Sequence, residues 1–281
     1  MRVAVIGATG VLGRQVMPRL IERGHQVRAI VRDSAKQAAL ARLGIDAVAG
    51  DILDAASLVP ALAGCTAALH LATSVPRTGM KRDFSLNDRI RREGTANLLA
   101  ACHQEGVTRY VQQSIAHLVG AGATLLDESA PLHPGQATSS AADMEELVRR
   151  SDLRWTILRG GAFYGPGTGR DEDWRGLARD GRLVMPEDGS GWLSLIHVVD
   201  MAEAVVLATE RDLHNSLLAI VDDLPVTYRD LFKHLAALEG GPEPATGGPQ
   251  APLPSFRVSN ARARDALGWR PFYASYRSGY V

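Results

Sequence analysis

Residues 3–14, VAVIGATGVLGR, carry the reading of the whole chain. Their apolar, β-branched start is the pattern of a strand buried on both faces. Gly7, Gly10 and Gly13 follow at three-residue spacing. Beyond them LGRQVMPRLIERG sets apolar residues three and four apart, as a helix does. Glycine at those places meets three physical demands: a tight turn, a backbone that a pyrophosphate can approach, and close packing of helix on sheet. The helix N-terminus then turns unpaired N–H groups and the positive end of its dipole toward the phosphates. Any tight βα turn uses glycine, so the spacing alone is weak. Its place between the first strand and the first helix supplies the context the motif needs. The expectation is a dinucleotide cradle formed by Gly7, Thr9, Gly10, Val11, Leu12 and Gly13.

Outward from the cradle, the second strand HQVRAIV runs into RDSAK. About 20 positions after the glycines an acidic residue would hold a ribose 2′-hydroxyl. Arg32 stands there, and its permanently charged fork suits a 2′-phosphate. Lys36, one helical turn later, adds a second cation. Asp33 is the rival for the ribose, although Asp33 or Ser34 reads more simply as a helix N-cap. The expected cofactor is NADPH/NADP rather than NAD.

The same alternation continues along the chain. IDAVAGD, TAALHLA, RYVQQSI and RWTILRG read as strands, and the segments between them have helical spacing, several ending in glycine. Strict β/α alternation with strands buried on both faces implies a parallel, doubly wound sheet. After about residue 160 the pattern loosens. LLAIVDD reads as a further strand, and HVVDMAEAVVLATE and YRDLFKHLAALEG as helices. GGPEPATGGPQAPLP reads as a Pro/Gly-rich surface loop that neither helix nor strand contains. The predicted organisation is a Rossmann-type doubly wound sheet over residues 1–160. A smaller, mixed C-terminal substrate lobe covers 161–281, part of it returning to the main sheet.

Charge and composition narrow the partners. Lysine plus arginine and aspartate plus glutamate both total 31 in 281 residues. That balance offers no footprint for nucleic acid or an anionic membrane surface. The two cysteines, Cys65 and Cys102, lie in Ala/Leu-rich stretches and read as buried thiols, with no metal-ligand spacing around them. The chain opens directly on a strand, and no apolar run is long enough to span a bilayer, so the expectation is a cytoplasmic protein.

Taken together, the motifs resemble the short-chain dehydrogenase/reductase superfamily in its extended and atypical branches. GATGVLG is similar to that family's glycine loop, and AGDILD to its adenine-side segment, with Asp51 and Ile52. LHLATS resembles the cofactor-flanking stretch after the fourth strand, implying roles for Leu71, Ala72 and Thr73 toward cofactor and Ser74 toward substrate. GGAFYGPGTG resembles the nicotinamide-side loop, which brings in Gly161 and Phe163. The resemblance also implies a serine after the fifth strand and a Tyr-x-x-x-Lys pair on the next helix. Aligning EELV puts Ala137 at the tyrosine and Ala141 at the lysine, and no Tyr or Lys occurs between Val111 and Phe163. Ser114 lies within one residue of the serine's place, with Ile115 competing for it.

The missing acid frames the functional choice. A positioned general acid contributes about 10²–10⁴-fold, whereas near-attack positioning supplies about 7–11 kcal/mol. A ketoreductase therefore survives the loss if its substrate brings its own O–H···O=C polarisation, as a flat aromatic polyketide ketone does. Ser114 and His117 are the candidate proton donors in the chain, with His133 behind them. Tyr164, Trp192 and His197 are candidate substrate contacts, and Trp174 reads as core or substrate cap. KRD and RIRRE, around residues 81–93, read as solvated faces, and GRDEDWRGLARDG as a lid hinged on glycines. The alternatives are a silent NADP-binding sensor similar to NmrA-like regulators and an extended-type nucleotide-sugar enzyme. Loss of the Tyr/Lys base counts against the second of these.

Overall fold

The strands form where runs of Val, Ile, Leu and Ala leave no polar face to solvate. The computed structural model describes residues 1–76, 83–120, 122–135, 137–249, 251 and 253–280. Six strands fall in the first 160 residues: β1 (Arg2–Ile6), β2 (Gln26–Val31), β3 (Asp46–Ala49), β4 (Ala67–His70), β5 (Arg109–Ile115) and β6 (Arg154–Gly160). Beyond them lie the short β7 (Ala162–Tyr164), β8 (Val184–Pro186), β9 (Trp192–Leu193) and β10 (Leu195–His197). After them come β11 (Ser216–Ile220), β12 (Val226–Thr227) and β13 (Ala245–Gly248). One seven-stranded sheet runs β3-β2-β1-β4-β5-β6-β11, with every pair parallel. The order reverses between β1 and β4, and ligands of such sheets bind in the crevice beyond the strand C-termini at that point.

The helices are α1 (Val11–Glu22), α2 (Ser34–Arg42), α3 (Ala55–Leu62), α4 (Ser85–Arg89), α5 (Thr95–Gln104) and α6 (Ser139–Arg150). Then follow α7 (Arg170–Arg179), α8 (Val198–Glu210), α9 (Tyr228–Glu239), α10 (Ala261–Leu267) and α11 (Tyr276–Gly279). A π turn over Ile90–Gly94 joins α4 to α5 in one continuous helical run. Val16 and Leu20 of α1 pack with Val205 of α8 in one core. Leu58 and Leu62 of α3, Leu98 and Cys102 of α5 and Val148 of α6 fill a second. A third core, in the lobe, gathers Trp174, Tyr228, Phe232, Phe256 and Tyr276. Both cysteines are buried thiols, and burial pushes that of Cys102 up to about 12. No helix among the described residues is long and apolar enough to cross a membrane.

Two segments depart from the sequence reading. The Pro/Gly-rich stretch does contain a strand, because Ala245–Gly248 pairs in parallel with Val184–Pro186 through a shifted register. Those four residues carry no proline, so their backbone is free to join an edge. The expected lid is an anchored helix. In α7, Trp174 is buried with Phe232 at 5.1 Å, and Glu239 of α9 receives both Arg175 and Arg179. Lys81 and Arg82 lie outside the described residues.

Candidate active site

The cradle is defined by space as much as by groups. Gly7 has φ of +91°, which side-chain-bearing residues rarely adopt, and a Cβ there would lie 2.6 Å from the Ala72 nitrogen. The segment after β4 therefore crosses directly over the first glycine. Gly10 donates its N–H to the Gly7 carbonyl at 2.9 Å, closing the turn. A Cβ on Gly13 would overlap that carbonyl and sit 2.6 Å from the Ala8 oxygen, so the third glycine lets α1 pack close. Gly10 differs: its backbone is extended, and a Cβ would meet only the Gly7 oxygen at 3.1 Å. The first turn of α1 has no side-chain cap and no acidic residue, which leaves its N–H groups for an anion. Thr9 and Val11 are half-buried beside it, while the Leu12 side chain belongs to the core.

At the end of β2 the competing readings separate. The Asp33 carboxylate caps α2, accepting from the N–H groups of Ala35 at 2.8 Å and Lys36 at 3.1 Å. Arg32 and the Lys36 ammonium are exposed, and neither side chain has an ion pair or hydrogen bond among the described residues. The next edge is held by Asp51, whose Oδ1 accepts from the Leu53 N–H at 3.0 Å. Ile52 is buried, and its carbonyl accepts from Asn97 at 3.0 Å. Leu71 continues β4, donating its N–H to the Ile6 carbonyl; Ala72 and Thr73 follow, and the Ser74 N–H donates to Asn87 at 2.9 Å. On the lobe side a Cβ on Gly161 would lie 2.5 Å from the Ser194 oxygen, and the Phe163 ring fills the space beside Gly160. These vacant places and free donors fit a dinucleotide along the strand C-termini.

The reaction end of the crevice is different. Ala141 is fully buried on α6, and Ala137 lies exposed ahead of that helix. The Ser114 hydroxyl is already engaged: it donates to Glu145 at 2.7 Å. Glu145 in turn receives Arg159 through two bonds, at 2.9 and 2.7 Å, and all three side chains are 1% exposed. The serine thus belongs to a buried ion-pair network that ties β5, α6 and β6 together, and Ile115 ends the strand half-buried.

His117, in the turn after β5, is the other candidate. Burial, and then the charges of Arg91 and Arg170, push its pKa down to about 4. Near neutral pH only about one ring in a thousand would be protonated, too few for an imidazolium acid. His133 lies on the exposed segment between β5 and α6.

Tyr164 and His197, expected to meet substrate, turn into the lobe core instead. The Tyr164 hydroxyl donates to Asp222 at 2.9 Å, and its ring stacks on Tyr280 at 4.8 Å. His197 caps α8, accepting the Val199 N–H at 3.3 Å, and burial takes its pKa to about 4. Trp192 lies under the Arg257 guanidinium at 4.5 Å, on the β9–β12 edge. Arg91 is the clearest departure. Read as part of a solvated face, it is 6% exposed within the π turn and donates to the Ser140 hydroxyl at 3.3 Å. A signal was present, since Arg91 shares helical spacing with the buried Asn87, Thr95 and Leu98. Nothing in the sequence announced the Glu145–Arg159 pair.

Residues 7–181 match the NAD(P)H-binding family, the span that begins at the first cradle glycine and ends beyond α7. The chain belongs to this family of NAD(P)-binding Rossmann-type reductases. It is 36% identical to a 3-diazoavenalumate denitrifying reductase of a Streptomyces species, over 99% of both chains. It is 27% identical to a 4-hydroxy-2-methyl-3-oxo-4-farnesyl-3,4-dihydroquinoline-1-oxide ketoreductase of Stigmatella aurantiaca, covering 85% of this chain and 74% of that one. Among solved structures, UDP-glucose 4-epimerase of Thermotoga maritima superposes with a TM-score of 0.85 at 22% identity, over 99% of this chain and 96% of that one. That last likeness is one of fold.

Proposed function

We propose that this protein is an NADPH-dependent reductase whose substrate is activated from within and draws no proton from the protein. One observation carries the reading: the cofactor cradle is intact while every protein acid expected beside it is absent or engaged. Ala137 and Ala141 have nothing to donate, Ser114 is bonded to Glu145, and His117 is neutral. The cofactor would be held by Gly7, Thr9, Gly10, Gly13 and the N–H groups of Val11 and Leu12. Asp51, Ile52, Leu71, Ala72 and Thr73 would flank it, with Gly161 and Phe163 at the nicotinamide end. Arg32 and Lys36 are free to meet a 2′-phosphate, which favours NADPH. Bound there, the reduced nicotinamide supplies a hydride. The chain supplies orientation, exclusion of water and an apolar wall.

An arenediazonium is the electrophile that best suits such a site. Reduction of a ketone consumes one hydride and one proton. An arenediazonium that gains hydride on its outer nitrogen becomes a neutral diazene, Ar–N=N–H. As dinitrogen leaves, the N–H hydrogen ends on carbon, so the balance closes without an acid. The full-length relative with a denitrifying name supports this choice. A second reading, reduction of a hydroxy-flanked ketone such as a polycyclic polyketide of the angucyclinone kind, is supported by the ketoreductase relative.

Mixing protein, NADPH and a hydroxyarenediazonium should release dinitrogen and consume NADPH one for one. Ortho-hydroxy aryl ketones, with and without methylation of the hydroxyl, test the second reading. NADPH binding with no turnover on either panel would discard both and leave a non-catalytic sensor.

A further inference from the structure

The lobe side of the crevice holds a cation that no acid answers. Arg170 opens α7, and its guanidinium lies 5.7 Å from the centroid of the Trp174 ring. Among the described residues it has no hydrogen bond and no ion pair. Although the residue is partly exposed, its guanidinium is desolvated enough for its pKa to fall. The groups bearing on its charge are two tyrosines, Tyr228 and Tyr280. Tyr280 is shared with the Asp171 carboxyl. Tyr228 is 1% exposed; among the described residues its hydroxyl makes no hydrogen bond of full geometry, and the Leu253 backbone is the polar group nearest to supplying one. A desolvated guanidinium beside a buried, poorly satisfied phenol is costly in a folded protein unless an anion completes it.

The other side of the crevice repeats the theme. Arg91 reaches only the Ser140 hydroxyl, which itself donates to Asp88 at 2.5 Å, so its charge is answered at second hand. Both guanidiniums act on His117, in the turn beyond β5. The two guanidiniums therefore lend positive potential to this end of the crevice.

We propose that Arg170 and the Tyr228 hydroxyl form a subsite for a carboxylate on the substrate, with Arg91 adding longer-range attraction. A single planar fork plus one hydroxyl matches a singly charged carboxylate, whereas a phosphate calls for more donors. The substrate class is then a flat aryl acid, anchored by its anion at the lobe while its electrophilic end meets the nicotinamide. The second half of that statement rests on the reductase reading; the anion subsite does not.

Cinnamate, an aryl acid with nothing for a nicotinamide to reduce at a diazo or keto centre, separates the two. Its binding to NADP-loaded protein is measured by calorimetry against methyl cinnamate. The acid should bind at least about thirtyfold more tightly, the lower end of what a buried charge partner contributes. Arg170→Met should erase that preference and leave NADP affinity unchanged. Its melting temperature without ligand should hold or rise, because an uncompensated charge has been removed. Tyr228→Phe, which deletes only an oxygen, should weaken the acid several-fold and spare the ester. Equal binding of acid and ester, binding of neither, or a preference that persists in Arg170→Met would overturn the subsite. Preference for the acid without turnover of any diazonium or ketone would keep the subsite and discard the reductase reading.

Discussion

The cofactor end and the reaction end of the crevice are built from opposite materials. The cofactor end consists of backbone and empty space: a glycine at φ +91° and an uncapped helix start, with two solvated cations at the end of β2 and in the first turn of α2. At the reaction end they are side chains, most of them buried, and their partners decide what they can do. Ser114 is held by Glu145, Tyr164 by Asp222, and His117 is kept neutral. A site made of backbone is insensitive to which ionisable residues surround it. One made of side chains can change its chemistry while the fold stands, because each group answers to its partners.

The largest test of this contrast is at the glycines. Gly7→Val should abolish cofactor binding and cost several kcal/mol of stability, since both its φ and its neighbour Ala72 forbid a Cβ. Gly10→Val should abolish NADPH binding with a near-normal melting temperature, because its backbone already suits any residue. Equal melting losses in the two variants would show the cradle to be structural rather than a phosphate seat. Next in size, Glu145→Ala should destabilise by about 3–5 kcal/mol, the effect of leaving Arg159 buried and uncompensated. Denaturant unfolding reads this, and a loss below about 1 kcal/mol would mean the network is not what holds the reaction end.

Arg32→Asp should reverse the cofactor preference by about 10²-fold, measured as the ratio of NADPH to NADH dissociation constants. Wild type binding the two equally would remove the role given to Arg32. Smaller still is a pH effect. Burial raises the Asp222 carboxyl to about 8, above its value in the unfolded chain. The stability this proton brings is full below the ordinary carboxylate range and is lost as pH rises through about 8. Between pH 6 and 8 the wild type should lose stability on the order of 1 kcal/mol per pH unit from this group, and Asp222→Asn should be flatter. Parallel pH curves for the two proteins would refute it. The smallest effect is expected at His117→Ala, with turnover changing less than about tenfold; a 10²–10⁴-fold loss would return the acid to the protein.

Legibility followed the same division. The glycine spacing and the β/α periodicity are local patterns, and each resolved into the expected element. Arg91 was half legible, since its spacing placed it on a buried stripe although its charge argued for solvent. Ser114 was legible only by position, since a serine near the right place says nothing about which partner its hydroxyl finds. For Trp174 the sequence allows either core or substrate, and the packing of α7 on α9 puts it in the core.

By itself the sequence determined the doubly wound sheet and the dinucleotide cradle, because strand period, helix period and glycine conformational freedom act over a few neighbouring residues. It determined equally that no Tyr or Lys stands on the helix beyond β5, an absence that needs no coordinates. Only the tertiary structure decided the fate of the remaining ionisable groups. Ser114, Glu145 and Arg159 meet because β5, α6 and β6 pack together, and among the described residues the lobe brings Arg170 tyrosines in place of acids. Ionisation and hydrogen bonding depend on desolvation and on partners far away in sequence, and those distances exist only once the chain has folded.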